Sequence, residues 1–192
     1  MSRVKRRHLF NLISNLLPGD GTRVSAIKAS LLRWCGCKVG RNVKIGQYVH
    51  VFGDGDIEIG DGCWIATEVI LQTTGSIKIG DRCCIMNRTM IVANEGSNVV
   101  IGDDCRIAHM VSIKTSCHAI NPEAKCIGDT EEFKDILVGS GCWVCAGVII
   151  VPGAKIGSKN VIAAGSVVLE STPVKDGVLL AGVPAGCKKC YI

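Results

Sequence analysis

The phrase Ile/Val-Gly-x-x-Cys returns four times along the chain, as Ile59-Gly60-Asp61-Gly62-Cys63, Ile79-Gly80-Asp81-Arg82-Cys83, Ile101-Gly102-Asp103-Asp104-Cys105 and Val138-Gly139-Ser140-Gly141-Cys142. Between these anchors an aliphatic residue recurs every six positions: Ile65 and Leu71, Ile85 and Ile91, Ile107 and Ile113, Val144 and Ile150, then Ile156, Ile162 and Val168. Three hexads make one 18-residue unit, and the anchors at 39, 59, 79 and 101 lie 20, 20 and 22 residues apart, so each early unit carries a small bulge. A fixed period of this length marks a solenoid.

The six-residue unit follows from strand geometry. Alternate side chains of an extended strand face the same way, so hexad position i and position i+4 of the previous hexad both point inward. The turn between faces takes a residue at positive φ, which Gly, Asn and Asp tolerate. Three faces per coil give a triangular prism whose coils pair as parallel strands. Its inner corners are cramped, so i+4 must be small. Cys63, Cys83, Cys105 and Cys142 occupy that slot on successive coils, which makes them a stack of small buried hydrophobes rather than a redox or metal site. The composition agrees: 47% hydrophobic residues but only 4% aromatic, with 23 glycines. Such a core is built from Ile, Val, Ala and Cys.

Residues 1–38 differ. Leu9, Phe10, Leu12, Ile13, Leu16 and Leu17 fall at helical spacing, Pro18-Gly19-Asp20-Gly21 breaks the chain, and Val24, Ile27, Leu31 and Leu32 predict a second helix. These helices are expected to cap the first coil, ahead of a β-helix over 39–170 and a C-terminal tail over 171–192. Residues 1–38 carry eight Lys or Arg against one acidic residue, a charge of +7, whereas 39–192 sum to −2. Arg3, Lys5, Arg6 and Arg7 offer either a solvated face or a peripheral contact to anionic lipid. The near-neutral body argues against nucleic acid as a partner.

No run approaches 18 uninterrupted apolar residues, so none is expected to span a membrane. Asn11, Ser14 and Asn15 interrupt the N-terminal apolar stretch and no small-x-small cleavage site follows, which points to the cytoplasm. The inner face of the membrane is a possible location there. In reducing cytosol the 12 cysteines are expected as thiols. Cys35-x-Cys37 and Cys187-x-x-Cys190 have the donors for a four-thiolate zinc site, but their spacing is a weak signal; no metal is expected.

The hexapeptides over 39 to about 170 resemble the bacterial transferase hexapeptide family. The likeness is tightest at VGSGCWVCAGVIIVPGAKIGSKNVIAAGSVV, residues 138–168, and at Ala181-Gly182-Val183-Pro184-Ala185. The branch it resembles includes galactoside, maltose and virginiamycin acetyltransferases, and especially polysaccharide O-acetyltransferases. The resemblance implies an all-β, left-handed parallel β-helix, with the short α-helical segment at its N-terminus. It also implies homotrimers with active sites between subunits. The handedness comes from the resemblance alone, since the general crossover rule would give right-handed connections.

The hexads break after Ile113. KTSCHAINPEAKCIGDTEEFKDI, residues 114–136, is polar and loop-like, an excursion over 114–137 before the coils resume at Val138. Excursions from a rigid scaffold are where function concentrates. His118 stands at its start, where the resemblance places the family's catalytic histidine. Moving an acetyl group from a thioester to a hydroxyl needs a base that takes the hydroxyl proton and returns it to the departing thiolate, and one imidazole does both. Cys117 is the rival as a nucleophile, but chain neighbours in an extended strand point opposite ways.

The resemblance further implies acetyl-CoA as co-substrate. Trp143 would wall the acetyl end and contact the acceptor, Ala146 and Ala164 would line the pantetheine path, and Asn87 would bind the acceptor. Relatives often carry Thr-Lys after Gly-Ser-Val-Val; here Leu169-Glu170 stands there, and Lys188 and Lys189 are the replacement candidates. His8, His50 and His109 read as ordinary polar positions. The γ-class carbonic anhydrases share the fold and bind a metal through three histidines, but the separations of 59 and 9 residues among His50, His109 and His118 do not resemble theirs.

The expected function is therefore transfer of acetyl to a sugar hydroxyl, in surface polysaccharide biosynthesis. N-acetylation of an amino sugar is the alternative, and a catalytically silent β-helical assembly module is a third reading.

Overall fold

The computed structural model describes residues 1–123 and 128–191. Two helices, α1 (Arg3–Leu16) and α2 (Thr22–Trp34), precede a parallel β-helix. Its three faces are stacks of short strands. The first face runs from Lys38–Val39 to Lys155–Ile156, the second from Lys44–Ile45 to Gly186–Cys190, and the third from His50–Phe52 to Val167–Val168. The hexad-head aliphatics from Ile59 to Val168 are all buried, and so are Cys63, Cys83, Cys105 and Cys142.

The coils stand so close that position i+1 takes glycine for space rather than for its backbone freedom. A Cβ on Gly60 would lie 2.7 Å from the backbone of Gly80 and Asp81 in the next coil. Positive φ falls instead at the turns, and several of those residues are neither Gly, Asn nor Asp: Tyr48, Glu68, Arg88, Met110 and Lys159. Stacking hydrogen bonds hold them there, as in Glu68 N–H to Gln47 C=O at 2.9 Å and Arg88 N–H to Thr67 C=O at 3.1 Å. Such bonds offset the roughly 1–2 kcal/mol that a left-handed residue costs.

Each buried thiol of the cysteine column donates to a carbonyl of the following coil: Cys63 to Gly80 at 3.0 Å, Cys83 to Gly102 at 3.0 Å, Cys105 to Gly139 at 3.2 Å and Cys142 to Gly157 at 3.0 Å. Hydrogen bonding to Cys105 and Cys63, with burial, pushes the Cys83 thiol well above its ordinary range. The same combination, led by Cys105, raises Cys142.

The N-terminal cap solves a problem of backbone direction. In each coil the hexad-head carbonyl points at the preceding coil, so that Ile59, Ile65 and Ile79 accept from Gly40, Gly46 and Gly60. The first coil has no predecessor, and side chains of the helices take its place. Asn11 both donates to Val51 C=O (3.1 Å) and accepts from Val51 N–H (2.9 Å). Ser25 accepts from Ile45 N–H, Lys28 donates to Gly46 C=O at 2.8 Å, and Arg33 donates to Val39 and Gly40 C=O. Arg7 donates to Gly53 and Gly55 C=O at 2.8 and 2.7 Å.

Two sequence expectations are corrected here, and the side that α1 buries, which the sequence reading left open, is fixed. The apolar stripe of α1 is not its buried face: of that stripe only Phe10 is buried, beside Arg7, Asn11 and Ser14. Long-range demand from the coil carbonyls outweighs the local pattern. The excursion is not loop-like throughout, because Ser116–Ala119 pairs antiparallel with Thr130–Phe133 as a hairpin; residues 124–127 of the excursion lie outside the described residues. The coils resume at Ile136–Val138. Finally, 171–192 is not a tail. Val178–Ala181 extends the second face in parallel with Val161–Ile162, and Gly186–Cys190 closes it antiparallel, covering the last open edge.

Two measurements check this arrangement. Asn11→Ala leaves a buried N–H and C=O of Val51 unpartnered and should lower stability to urea by about 2–4 kcal/mol, whereas Leu12→Ala, on the exposed side of the same helix, should be near neutral. Under native conditions a thiol reagent should modify Cys117, Cys187 and Cys190 quickly and leave Cys63, Cys83, Cys105 and Cys142 unmodified until the chain unfolds; rapid labelling of all seven would contradict the inward register.

Candidate active site

The hairpin that carries His118 grows from the third-face strand Ser112–Lys114 and is pinned at its base. Thr115, fully buried, accepts from Lys134 N–H through its carbonyl (2.9 Å) and from Asn94 N–H through its hydroxyl (3.1 Å). Asp135 accepts from the backbone and side chain of Asn98 at 2.7 and 3.1 Å. Past this anchor His118 is exposed, and its cross-strand partner is Glu131. Directly opposed residues in an antiparallel pair project their side chains to the same side, about 5 Å apart at Cβ. Glu131 is thus the register partner of His118 across the hairpin, on the same side of the ribbon. Nothing in the single sequence aligned 118 with 131, because the turn length between them was not legible. Gly128 lies close as well; a Cβ there would sit 3.1 Å from that of His118.

Cys117 faces away from His118, into a recess of about 590 Å3 with Lys134, Pro152, Leu169 and Glu170. Lys134 reaches Glu170 at 2.7 Å. This bond, and the nearby Glu132, hold the ammonium pKa above its usual value. Lys134 was missed in the sequence because it lies 36 residues from Glu170 and within the broken repeat.

The other candidates gather at the corner between the second and third faces. Asn87, His109, Ala146 and Ala164 each stand two residues after a hexad head, and hydrogen bonds stack them: Met110 N–H to Asn87 C=O (3.1 Å), Gly147 N–H to His109 C=O (3.0 Å), and Gly165 N–H to Ala146 C=O (3.0 Å). Asn87 and His109 share a recess of about 380 Å3 with Glu68, Arg88 and Met110. His109, taken from the sequence as an ordinary polar position, lies between Asn87 and Ala146 in this column. Its hexad phase was the signal. Trp143 stands on the outer second face, 54% exposed, between Arg106 and Val161 and three residues ahead of Ala146. Lys188 and Lys189 lie exposed on the closing strand at the C-terminal end of this face, with the Lys189 ammonium over the Tyr191 ring.

One chain does not bring His118 to this corner. The third face separates them, and the five residues 111–115 span about 16 Å at 3.3 Å per residue. That face is largely apolar on its outer surface, where His50, Ile70, Met90, Ser112, Ile149 and Val167 stand in register. The first face is charged there, with Glu58 between Lys38 and Lys78. His50 meets Asn15 of α1 at 3.3 Å and packs on Phe52, a structural role.

Cys35 and Cys37 are buried under the cap, and Cys187 and Cys190 are at the opposite end of the solenoid. Seven strand spacings, roughly 34 Å, rule out one shared metal. Burial also pushes the Cys35 thiol up to about 11 and raises Cys37, against thiolate formation. Among the described residues no group of three or more His, Cys, Asp or Glu could hold a metal ion, and no helix is long and apolar enough to cross a membrane.

No family model matches the chain. It is 32% identical over 126 residues to the galactoside O-acetyltransferase of Escherichia coli K12, which covers 66% of this chain and 60% of the relative. It is 28% identical over 158 residues to the putative colanic acid biosynthesis acetyltransferase WcaF of the same organism, covering 82% and 71%. The chain spans less than two thirds of the length of the curated relatives it matches first. Among solved structures, a hexapeptide-repeat acetyltransferase of Vibrio cholerae complexed with acetyl-coenzyme A superposes with a TM-score of 0.68 at 21% identity, over 99% of this chain and 87% of that one. The coil architecture is that of the solved hexapeptide-repeat acetyltransferase, and in sequence the chain is similar to sugar O-acetyltransferases.

Proposed function

We propose that the protein is an acetyl-CoA-dependent O-acetyltransferase acting on a sugar hydroxyl, with His118 as general base at sites formed between the subunits of a homotrimer. The observation that carries this reading is an exposed histidine on a hairpin anchored at the one break in the repeat, paired in register with Glu131. The apolar third face supplies the surface on which copies meet. A three-fold axis parallel to the coils then lets His118 of one subunit approach the Asn87–Ala164 corner of the next.

In this arrangement the imidazole takes the proton of the acceptor hydroxyl as its oxygen attacks the thioester carbonyl. The tetrahedral intermediate collapses, the C–S bond breaks, and the imidazolium returns its proton to the coenzyme A thiolate. Glu131, the register partner of His118, is the carboxylate available on the same side of the hairpin to orient the ring, and no acyl-cysteine forms. Ala146 and Ala164 leave the corner backbone open to an extended pantetheine arm. Asn87 holds the acceptor and Trp143 walls the acetyl end and the acceptor alike. At the position where relatives carry Thr-Lys, Lys134 brings a cation back beside Glu170, with Lys188 and Lys189 further along the coil stack. The resemblance to the putative colanic acid biosynthesis acetyltransferase WcaF supports an acceptor in polysaccharide assembly.

Steady-state transfer from acetyl-CoA to an identified sugar acceptor, followed by thiol release, tests the assignment. His118→Ala should lower kcat by about 100-fold to 10,000-fold, the range for loss of a general base, with little change in KM for acetyl-CoA. Cys117→Ala should stay close to wild type. Near-normal turnover in His118→Ala with loss in Cys117→Ala would establish a covalent route instead. Preference for an amino-sugar amine over every hydroxyl offered would replace O-transfer with N-transfer.

A further inference from the structure

Helix α1 turns its polar side to the solenoid and its apolar side outward. At about 100° per residue, Leu9, Leu12, Ile13 and Leu16 form a stripe opposite the buried Arg7, Phe10, Asn11 and Ser14. Leu12 is 62% and Leu16 74% exposed. Helix α2 repeats the inversion, burying Ser25, Lys28, Ala29 and Leu32 while Ile27 and Trp34 stand exposed. The end of the solenoid is therefore closed by a surface whose outer side is apolar.

The charge of this cap is positive and largely uncompensated. Arg6, Arg7, Lys28 and Arg33 donate to backbone carbonyls, contacts that do not cancel their charge. Lys5 and Arg23 are exposed and form no ion pair among the described residues. Asp20 is the one acidic residue of positions 1–38. At the rim the Arg6 guanidinium lies 5.8 Å from the centre of the Trp34 ring, an aromatic and cationic pair of the kind that suits a membrane interface.

We propose that the outer face of the α1–α2 cap docks on the surface of an anionic phospholipid bilayer, with the helices lying in the interfacial plane. Leucines sunk below the headgroups and cations among them describe an interfacial amphipathic surface. A second copy of the chain is the poorer occupant, because cap-to-cap pairing would oppose two surfaces of like charge. Any cyclic assembly about an axis parallel to the coils presents all its caps on one side. The added avidity of three caps rests on the trimeric reading; docking of a single cap does not.

Flotation of the full chain with vesicles tests this, using phosphatidylcholine containing about 30% phosphatidylglycerol against phosphatidylcholine alone. The wild type should float with the anionic vesicles, fall away at high salt, and leave neutral vesicles largely unbound. The double substitution Leu12→Glu and Leu16→Glu should weaken binding at least about tenfold, with the thermal midpoint and particle mass unchanged. Failure of the wild type to float, or flotation of the double variant at the wild-type level, overturns the proposal. A particle mass that halves in the double variant, without vesicle binding by the wild type, assigns the face to a second copy. Acetyl transfer to a soluble acceptor, measured on the same preparations, separates failure of docking from failure of the enzymatic reading.

Discussion

Parallel coils hydrogen-bond in one sense. Each hexad-head carbonyl is turned toward the coil before it, and the whole stack therefore depends on what meets the first coil. Asn11, Ser25, Lys28, Arg33 and Arg7 form a substitute coil made of side chains. Two of these, Arg7 and Lys28, are fully buried. Their burial is explicable because the two terminal guanidinium nitrogens of Arg7 and the Lys28 ammonium meet carbonyls, while an unmet carbonyl in that position would cost about 1–3 kcal/mol. Burial lowers the Lys28 pKa, with Asp20 working against it. The same demand turns α1 over and exposes its leucines, so one backbone constraint explains both the closed end of the solenoid and its apolar outer surface.

A triangular section also distributes chemistry among corners. The corner that stacks Asn87, His109, Ala146 and Ala164 is continuous because each residue repeats one hexad phase. The corner that carries the hairpin is interrupted, and that interruption lets His118 leave the coil surface. The faces are rigid, with inner positions filled by aliphatics and thiols, so no bending of one chain joins the two corners. In the proposed function, association through the third face completes the site, which would make activity a property of the assembly.

The coil architecture was legible because hexad heads and small i+4 residues repeat a local rule: Ile59, Cys63 and Ile65 declare the same geometry as Ile79, Cys83 and Ile85. His118 was singled out as the residue at the break, and Asn87, Ala146 and Ala164 by resemblance; the structure stacks the last three on one corner, with His109 in the same phase. What escaped depends on contacts across the chain. Asn11 meets Val51 at a separation of 40 residues, Lys134 meets Glu170 at 36, and His118 stands opposite Glu131 only through a hairpin whose register no local pattern specified. The helical spacing of α1 was legible, but not the side it buries, because burial there follows hydrogen-bond demand more than hydrophobicity.

The central claim is that base and corner come from different subunits, and subunit mixing tests it directly. His118→Ala and Asn87→Ala chains, each inactive as a pure assembly, are unfolded together in equal amounts and reassembled. With His118 and Asn87 supplied across an interface, about a quarter of the sites in random trimers receive both intact groups, and activity should return to about that fraction of wild type. If the mixture stays as inactive as its parents while reassembling to the same mass, both groups act within one chain and the account fails.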